Sequence, residues 1–164
     1  MIILLKNKHT IQVDDFIFKC SIGKKGITKF KKEGDFKTPK GTFEIENLYY
    51  RKDRLEKPKT KLKCIEINKY MGWCDDIKSK KYYNKLVGNK SKLHHENLFR
   101  KDHKYDLFIP IKYNFKKIIS GKGSCIFLHL TNTFKPTAGC IALKKKDFII
   151  MLKLINRKTK IKIF

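Results

Sequence analysis

Apolar and polar positions alternate or run together in short stretches along most of this chain, which is the pattern of strands. MIILLK and TIQVDDFIFKC are apolar or alternate with a two-residue period, and they break at SIGKKGI, where two glycines signal a turn. The pattern predicts a hairpin at the start. In KKEGDFKTPKGTFEIENLYY, Gly34, Pro39 and Gly41 punctuate a loop, after which Phe43, Ile45, Tyr49 and Tyr50 resume an extended pattern. Residues 51–104 are polar, basic and weakly periodic, with YRKDR, GWCDD and HHENLFRKD as their distinctive clusters. That stretch reads as a long excursion from one domain spanning 1–164, not as a second domain. Excursions of such length inside a compact domain are usually functional.

The last third is more regular. YDLFIPIKYN is a strand candidate whose Pro110 points to an edge or a bulge, because proline cannot donate to the ladder. GKGS turns into CIFLHL, an apolar strand on which the two-residue period places Cys125, Phe127 and His129 on one face. After the loop TNTFKPTAG come CIAL and then KKDFIIMLKLIN, with apolar residues at 148, 151, 152 and 155 in the i, i+3, i+4, i+7 spacing of a helix resting on a sheet. KTKIKIF closes the chain as a strand. The expected class is mostly β with one or two helices.

Size and charge constrain the function. The 164 residues, 41% of them hydrophobic, suffice for one domain with its own core. No apolar run approaches the roughly 18 residues of a membrane helix, so no membrane span is expected. MIILLK is shorter than the roughly 7–15 residue core of a secretion signal. The formal charge of +25 suggests a nucleic acid or another polyanion as partner. Its composition argues otherwise: 36 Lys stand against 4 Arg, and only two alanines occur, Ala138 and Ala142. That skew follows from AT-rich coding, and specific nucleic-acid readers favour the planar fork of arginine. A solvated lysine surface with no specific nucleic-acid partner is the expectation.

Five cysteines, at 20, 64, 74, 125 and 140, are an odd number without close pairing, and no C-x-x-C or zinc spacing occurs. No metal and no cofactor is expected. Cys140 is distinctive because it follows Gly139 in HLTNTFKPTAGCIAL, eleven residues after His129. If the two flanking strands are neighbours, thiol and imidazole face each other, and histidine can activate a thiol that is otherwise mostly protonated at neutral pH. Gly139 would let the backbone turn sharply and aim main-chain N–H groups at an attacked carbonyl. From the residues alone, a buried Cys packed beside a buried His remains the rival reading.

The segment IFLHLTNTFKPTAGCIAL resembles the catalytic core of the YkuD-type L,D-transpeptidases, in which a histidine on one strand precedes a [ST]-x-G-C-[IV] turn bearing a cysteine nucleophile. EGDFKTPKGTF is similar to the family's T-P-x-G-x-F strand as it occurs in a compact proteobacterial branch, and YYRKDR, GWCDD and HENLFRKDHKYDL follow in matching order. The similarity runs from about residue 20 to the end. It departs at three positions: Ala138 replaces the second histidine of the common S-H-G-C-[IV]-R turn, Ala142 its arginine, and Leu130 the small residue after the catalytic histidine.

The resemblance implies YkuD-like sheets in a β-sandwich or barrel-like arrangement, with Cys140 as nucleophile, His129 as base, and the N–H groups of Gly139 and Cys140 as oxyanion donors. It implies an acyl transfer through a thioester from one peptidoglycan stem peptide to an amine on another, and covalent inhibition by carbapenem-type β-lactams. Candidate substrate-binding residues are Thr137 and Ala138 in the turn and Arg100, His95 and Trp73 in the excursion. For Arg100 and His95 the alternative is an ion-pair scaffold with nearby acids, and for Trp73 a core position. His94 and His103 read as solvated. Two other functions stay open: an L,D-carboxypeptidase or amidase that only cuts, and a basic nucleic-acid-binding module. A monomer acting in the wall compartment, the periplasm, is the expectation because the substrate is assembled there. Action in the cytoplasm is the alternative, since no signal is visible.

Overall fold

The computed structural model describes residues 1–88 and 92–164, so positions 89–91 of the excursion lie outside the described residues. The N-terminal apolar stretches form three strands instead of a two-stranded hairpin: β1 (Ile2–Leu5), β2 (Thr10–Val13) and β3 (Phe16–Ser21). The additional turn falls at the Asp14–Asp15 pair, where Asp14 takes a left-handed φ of 54°. Aspartate tolerates that region better than most residues. Short strands β4 (Ile27–Thr28) and β5 (Thr38–Pro39) pair in parallel, and β6 (Gly41–Glu44) and β7 (Leu48–Tyr50) follow. The excursion carries β8 (Cys64–Glu66), β9 (Met71–Cys74), β10 (Leu86–Gly88) and β11 (His95–Asn97). Then come β12 (Leu107–Pro110), β13 (Phe127–Leu130), β14 (Ile141–Leu143), helix α1 (Lys145–Leu154) and β15 (Lys160–Ile163).

Ten strands join one curled sheet in the order β6-β15-β1-β2-β3-β14-β13-β12-β7-β8, and β10-β9-β11 form a separate three-stranded sheet. Strand makes up 35% of the chain and helix 6%, so the mostly β expectation holds, with one helix among the described residues. The closing strand β15 is interior. It runs parallel to β1 and antiparallel to β6, which buries Ile161 and Ile163. Pro110 does not mark an edge, since β12 lies between β13 and β7. The proline is the last residue of its strand, where a missing N–H interrupts the ladder least, and its carbonyl still accepts from Glu46 N–H at 2.9 Å.

Strands β7, β12 and β13 are buried on both faces, which explains why they read as unbroken apolar runs. Leu48, Tyr50, Leu107, Ile109, Leu128 and Leu130 face the larger core, which α1 closes with Phe148, Met151 and Leu152. The alternate residues Tyr49, Phe108 and Phe127 face a second, aromatic core with Trp73, Leu98, Tyr105 and Cys140. Tyr49 and Phe108 stack at 4.8 Å between ring centroids, and Phe127 meets Trp73 edge-on at 5.3 Å. The excursion is therefore the cover of the second face.

Arginines tie its two ends together. Arg51 lies over the Phe99 ring at 3.6 Å and donates to the Arg100 carbonyl at 2.6 Å, while Arg54 donates to Asp106 at 2.7 Å and to the carbonyls of Lys101 and Asp102. YRKDR is thus a clamp on the segment that returns to β12. Among the described residues no helix is long and apolar enough to cross a membrane.

Phe148 is fully buried where α1 meets the sheet. Phe148→Ala is expected to lower the unfolding free energy by about 3–5 kcal/mol through lost burial and the cavity left behind, measured by urea denaturation with the slope unchanged.

Candidate active site

Parallel pairing of β13 with β14 sets His129 opposite Ala142 and Leu128 opposite Ile141. Cys140, one residue before β14, is therefore level with Phe127. The Phe127 N–H points at Cys140 Sγ at 3.4 Å, and the thiol donates to the Cys125 carbonyl at 3.1 Å. Both His129 and Cys140 line one cavity of about 580 Å³. They are 6% and 8% exposed, so only a small part of each is open to a ligand.

The turn before Cys140 is held from several sides. Thr137 Oγ1 accepts from Gly139 N–H at 3.1 Å and donates to the Cys140 carbonyl at 2.6 Å, while the Thr137 backbone bonds Ile22 and Lys24. Buried Thr38, from the TPKGTF stretch, donates to the Gly139 carbonyl at 2.8 Å and accepts from Gly23 N–H at 2.9 Å. Gly139 has φ 149°, and a Cβ there would lie 2.8 Å from the Lys37 carbonyl oxygen. Only glycine fits that approach. Asp35 in turn accepts from Lys32 N–H, Lys37 N–H and Lys31 Nζ, which shapes the loop beneath the turn.

His129 Nδ1 lies 2.9 Å from the Leu130 carbonyl. A carbonyl can only accept, so Nδ1 carries the proton and Nε2 keeps its lone pair. Tyr105 packs across the imidazole at 5.6 Å between centroids and 73° between planes. Burial pushes the imidazole pKa down to about 4 and the Cys140 thiol up to about 12, the latter with a further contribution from the Glu96 charge. Both shifts favour the neutral form. At rest both groups favour their neutral forms: the thiol is engaged with the Cys125 carbonyl, and the imidazole on the same cavity keeps Nε2 unprotonated.

The other candidates divide. Thr137, Ala138, Arg100 and His95 line the cavity. Arg100 has its guanidinium fork on Asp102 at 2.9 and 2.6 Å, which lowers that carboxyl to about 2. His95 Nδ1 donates to the Leu93 carbonyl at 2.8 Å. Trp73 lies apart from these: it is 4% exposed, donates to Asn84 Oδ1 at 3.0 Å, packs in the aromatic core, and is not among the residues that line the cavity. Cys125 lies before β13 with a left-handed φ of 52°, off the strand itself, yet it packs on the same aromatic core as Phe127 and lines the same cavity as His129. His94 is exposed and paired with Asp75. His103 is not solvated as a whole, since it lines the cavity and its Nε2 is buried without a partner among the described residues.

The cavity also contains residues to which sequence reasoning gave no role there: Lys31, Glu33, Glu96 and Lys104. Glu33 and Glu96 sat within recognisable clusters, but nothing in their spacing places them beside Cys140. Lys31 is 6% exposed despite its charge, a position that a lysine-rich sequence conceals.

The chain is similar to the solved structure of Bdellovibrio bacteriovorus Bd1075, at 16% identity and a TM-score of 0.45, over 99% of this chain and 47% of that one. It thus spans about half the length of that protein. No curated protein matches it. The family model described as "YkuD: L,D-transpeptidase catalytic domain" matches residues 2–163, essentially the whole chain, and the protein belongs to that family.

Proposed function

We propose that the protein is a cysteine-dependent L,D-transpeptidase acting on peptidoglycan stem peptides in the wall compartment. The observation that carries this reading is the pairing of Cys140 and His129 at one cavity, with the imidazole tautomer set by Leu130. In the first half-reaction Sγ attacks the carbonyl between an L-centre and a terminal D-residue as Nε2 of His129 takes the thiol proton. The proton then passes to the departing D-amino acid, leaving a thioester. An amine on a second stem resolves the thioester into a cross-link, and water resolves it into a trimmed stem, which is the carboxypeptidase alternative.

The oxyanion donors need one adjustment. Gly139 N–H is engaged with Thr137 Oγ1, so the Cys140 N–H is assigned as the main donor, and Gly139 contributes by its backbone geometry. Thr137 and Ala138 form the lip against which the donor backbone lies. Lys104 and Lys135 on the wall suit the carboxylates of a stem peptide, while the Lys31 ammonium is committed to Asp35. Arg100 and His95 support the wall through their own bonds, and Arg100 adds positive charge near a donor carboxylate.

A carbapenem presents a strained acyl group to the same attack, so one covalent adduct at Cys140 is expected by intact-protein and peptide mass spectrometry. Cys140→Ser should abolish it, because the hydroxyl stays protonated beside an imidazole with no acidic partner at Nδ1. A serine variant that cleaves stem peptides at the original rate would refute the thiol mechanism.

The pKa directions give a second expectation. A thiol raised to about 12 is protonated across the neutral range, so its thiolate fraction grows about tenfold per pH unit. Alkylation of Cys140 by iodoacetamide, followed by peptide mass spectrometry, should therefore keep rising through pH 9 without a plateau near neutrality. It should be slower in His129→Ala. A plateau at neutral pH would show a preformed ion pair instead.

A further inference from the structure

Three carboxylates, Glu33, Asp75 and Glu96, reach the cavity wall of a chain whose formal charge is +25. Two have evident structural work. Asp75 pairs with His94, and Glu33 accepts from the Tyr83 and Ser124 hydroxyls, joining distant loops. Glu96, on β11, is placed differently. Its Oε1 accepts from Tyr105 at 2.6 Å and lies 3.7 Å from Arg100, whose fork is already committed to Asp102. The carboxylate is held by Tyr105 and Arg100 with the Cys125 thiol also in reach, burial raises its pKa from the ordinary value, and it shares the cavity wall with Cys125 and Cys140.

A negative charge in that place opposes formation of the Cys140 thiolate, the reverse of what the first half-reaction requires. It suits the second. An acceptor amine arrives at neutral pH as an ammonium ion, and a cavity carrying several lysines would repel it unless a carboxylate stood near the reacting carbon. We propose that Glu96 is the residue that receives the ammonium group of the acceptor and so selects an amine over water as the second substrate.

This inference rests on the transfer reading above. The bound ammonium gives one proton to the Glu96 carboxylate, and the nitrogen lone pair forms the new N–C bond to the thioester carbon. The C–S bond breaks with its electron pair going to Sγ, and the second amine proton passes through His129 Nε2 to that thiolate. Glu96 returns its proton to solvent, which restores the starting charges.

The test uses the full chain and two stem peptides that are identical except that the acceptor amine is acetylated in one. Glu96→Gln keeps an oxygen for the Tyr105 hydroxyl while removing the charge. The ratio of cross-linked to hydrolysed product should fall roughly tenfold or more, the effect of losing one charge-assisted hydrogen bond. Iodoacetamide labelling of Cys140 should become about threefold faster or more, because the opposing charge is gone.

Binding to Cys140→Ala protein separates this inference from the reading beneath it. There the free-amine peptide should bind more tightly than its acetylated twin, and adding Glu96→Gln should erase the difference. Equal binding of the two peptides with Glu96 in place overturns the assignment, as does a folded Glu96→Gln enzyme with unchanged product ratio and labelling rate. Discrimination by the Cys140→Ala protein alongside a wild type that only trims would sustain the ammonium site and remove the transfer reading instead.

Discussion

The parallel ladder between β13 and β14 is the constraint on which the site depends. It fixes His129 across from Ala142, brings the residue before β14 level with Phe127, and leaves the TNTFKPTAG loop to arch over the cavity. A slip of one residue would turn His129 toward the larger core and Leu128 toward the cavity, because side chains alternate with a period of two. Both strands are buried on their two faces, so the register is specified twice, once by the helix-covered core and once by the aromatic core.

That second core gives the excursion its physical role. A curled sheet with apolar residues on both faces needs cover on each, and α1 supplies only one. The β9–β11 region supplies the other with Trp73 and Leu98, and Arg51 and Arg54 clamp the segment back to the sheet. The same segment carries His95, Glu96 and Arg100 to the cavity that the cysteine turn also lines. Structural cover and site wall are one piece of chain, so substitutions in the aromatic core are transmitted to the site through Tyr105, which touches both Phe127 and His129.

The electrostatics of the site run against the surface. Outside, lysines dominate. Inside, burial keeps the thiol and imidazole neutral, and carboxylates appear among the few cations of the wall. Charge formed during a reaction there is met by a small set of placed groups instead of by solvent, which makes each of them consequential.

The sequence by itself determined the mostly β class, the helix within KKDFIIMLKLIN and the Cys140–His129 candidate pair, because each of these is written in local periodicity or in a short ordered pattern around one turn. It also carried the need for glycine at 139, though not its cause, which is the Lys37 carbonyl arriving from another part of the chain. Tertiary structure decided what local pattern cannot encode. It made Trp73 a core residue, set Cys125 just before the strand in a left-handed conformation, tied the Gly139 N–H to Thr137, and set Pro110 inside the sheet at a strand end. It also brought Glu96 to the wall that Cys140 shares, across more than forty positions of chain. The reason is the same in each case: side-chain exposure and partnership depend on which distant strand lies alongside, and sheet order is a property of the folded chain and not of any stretch within it.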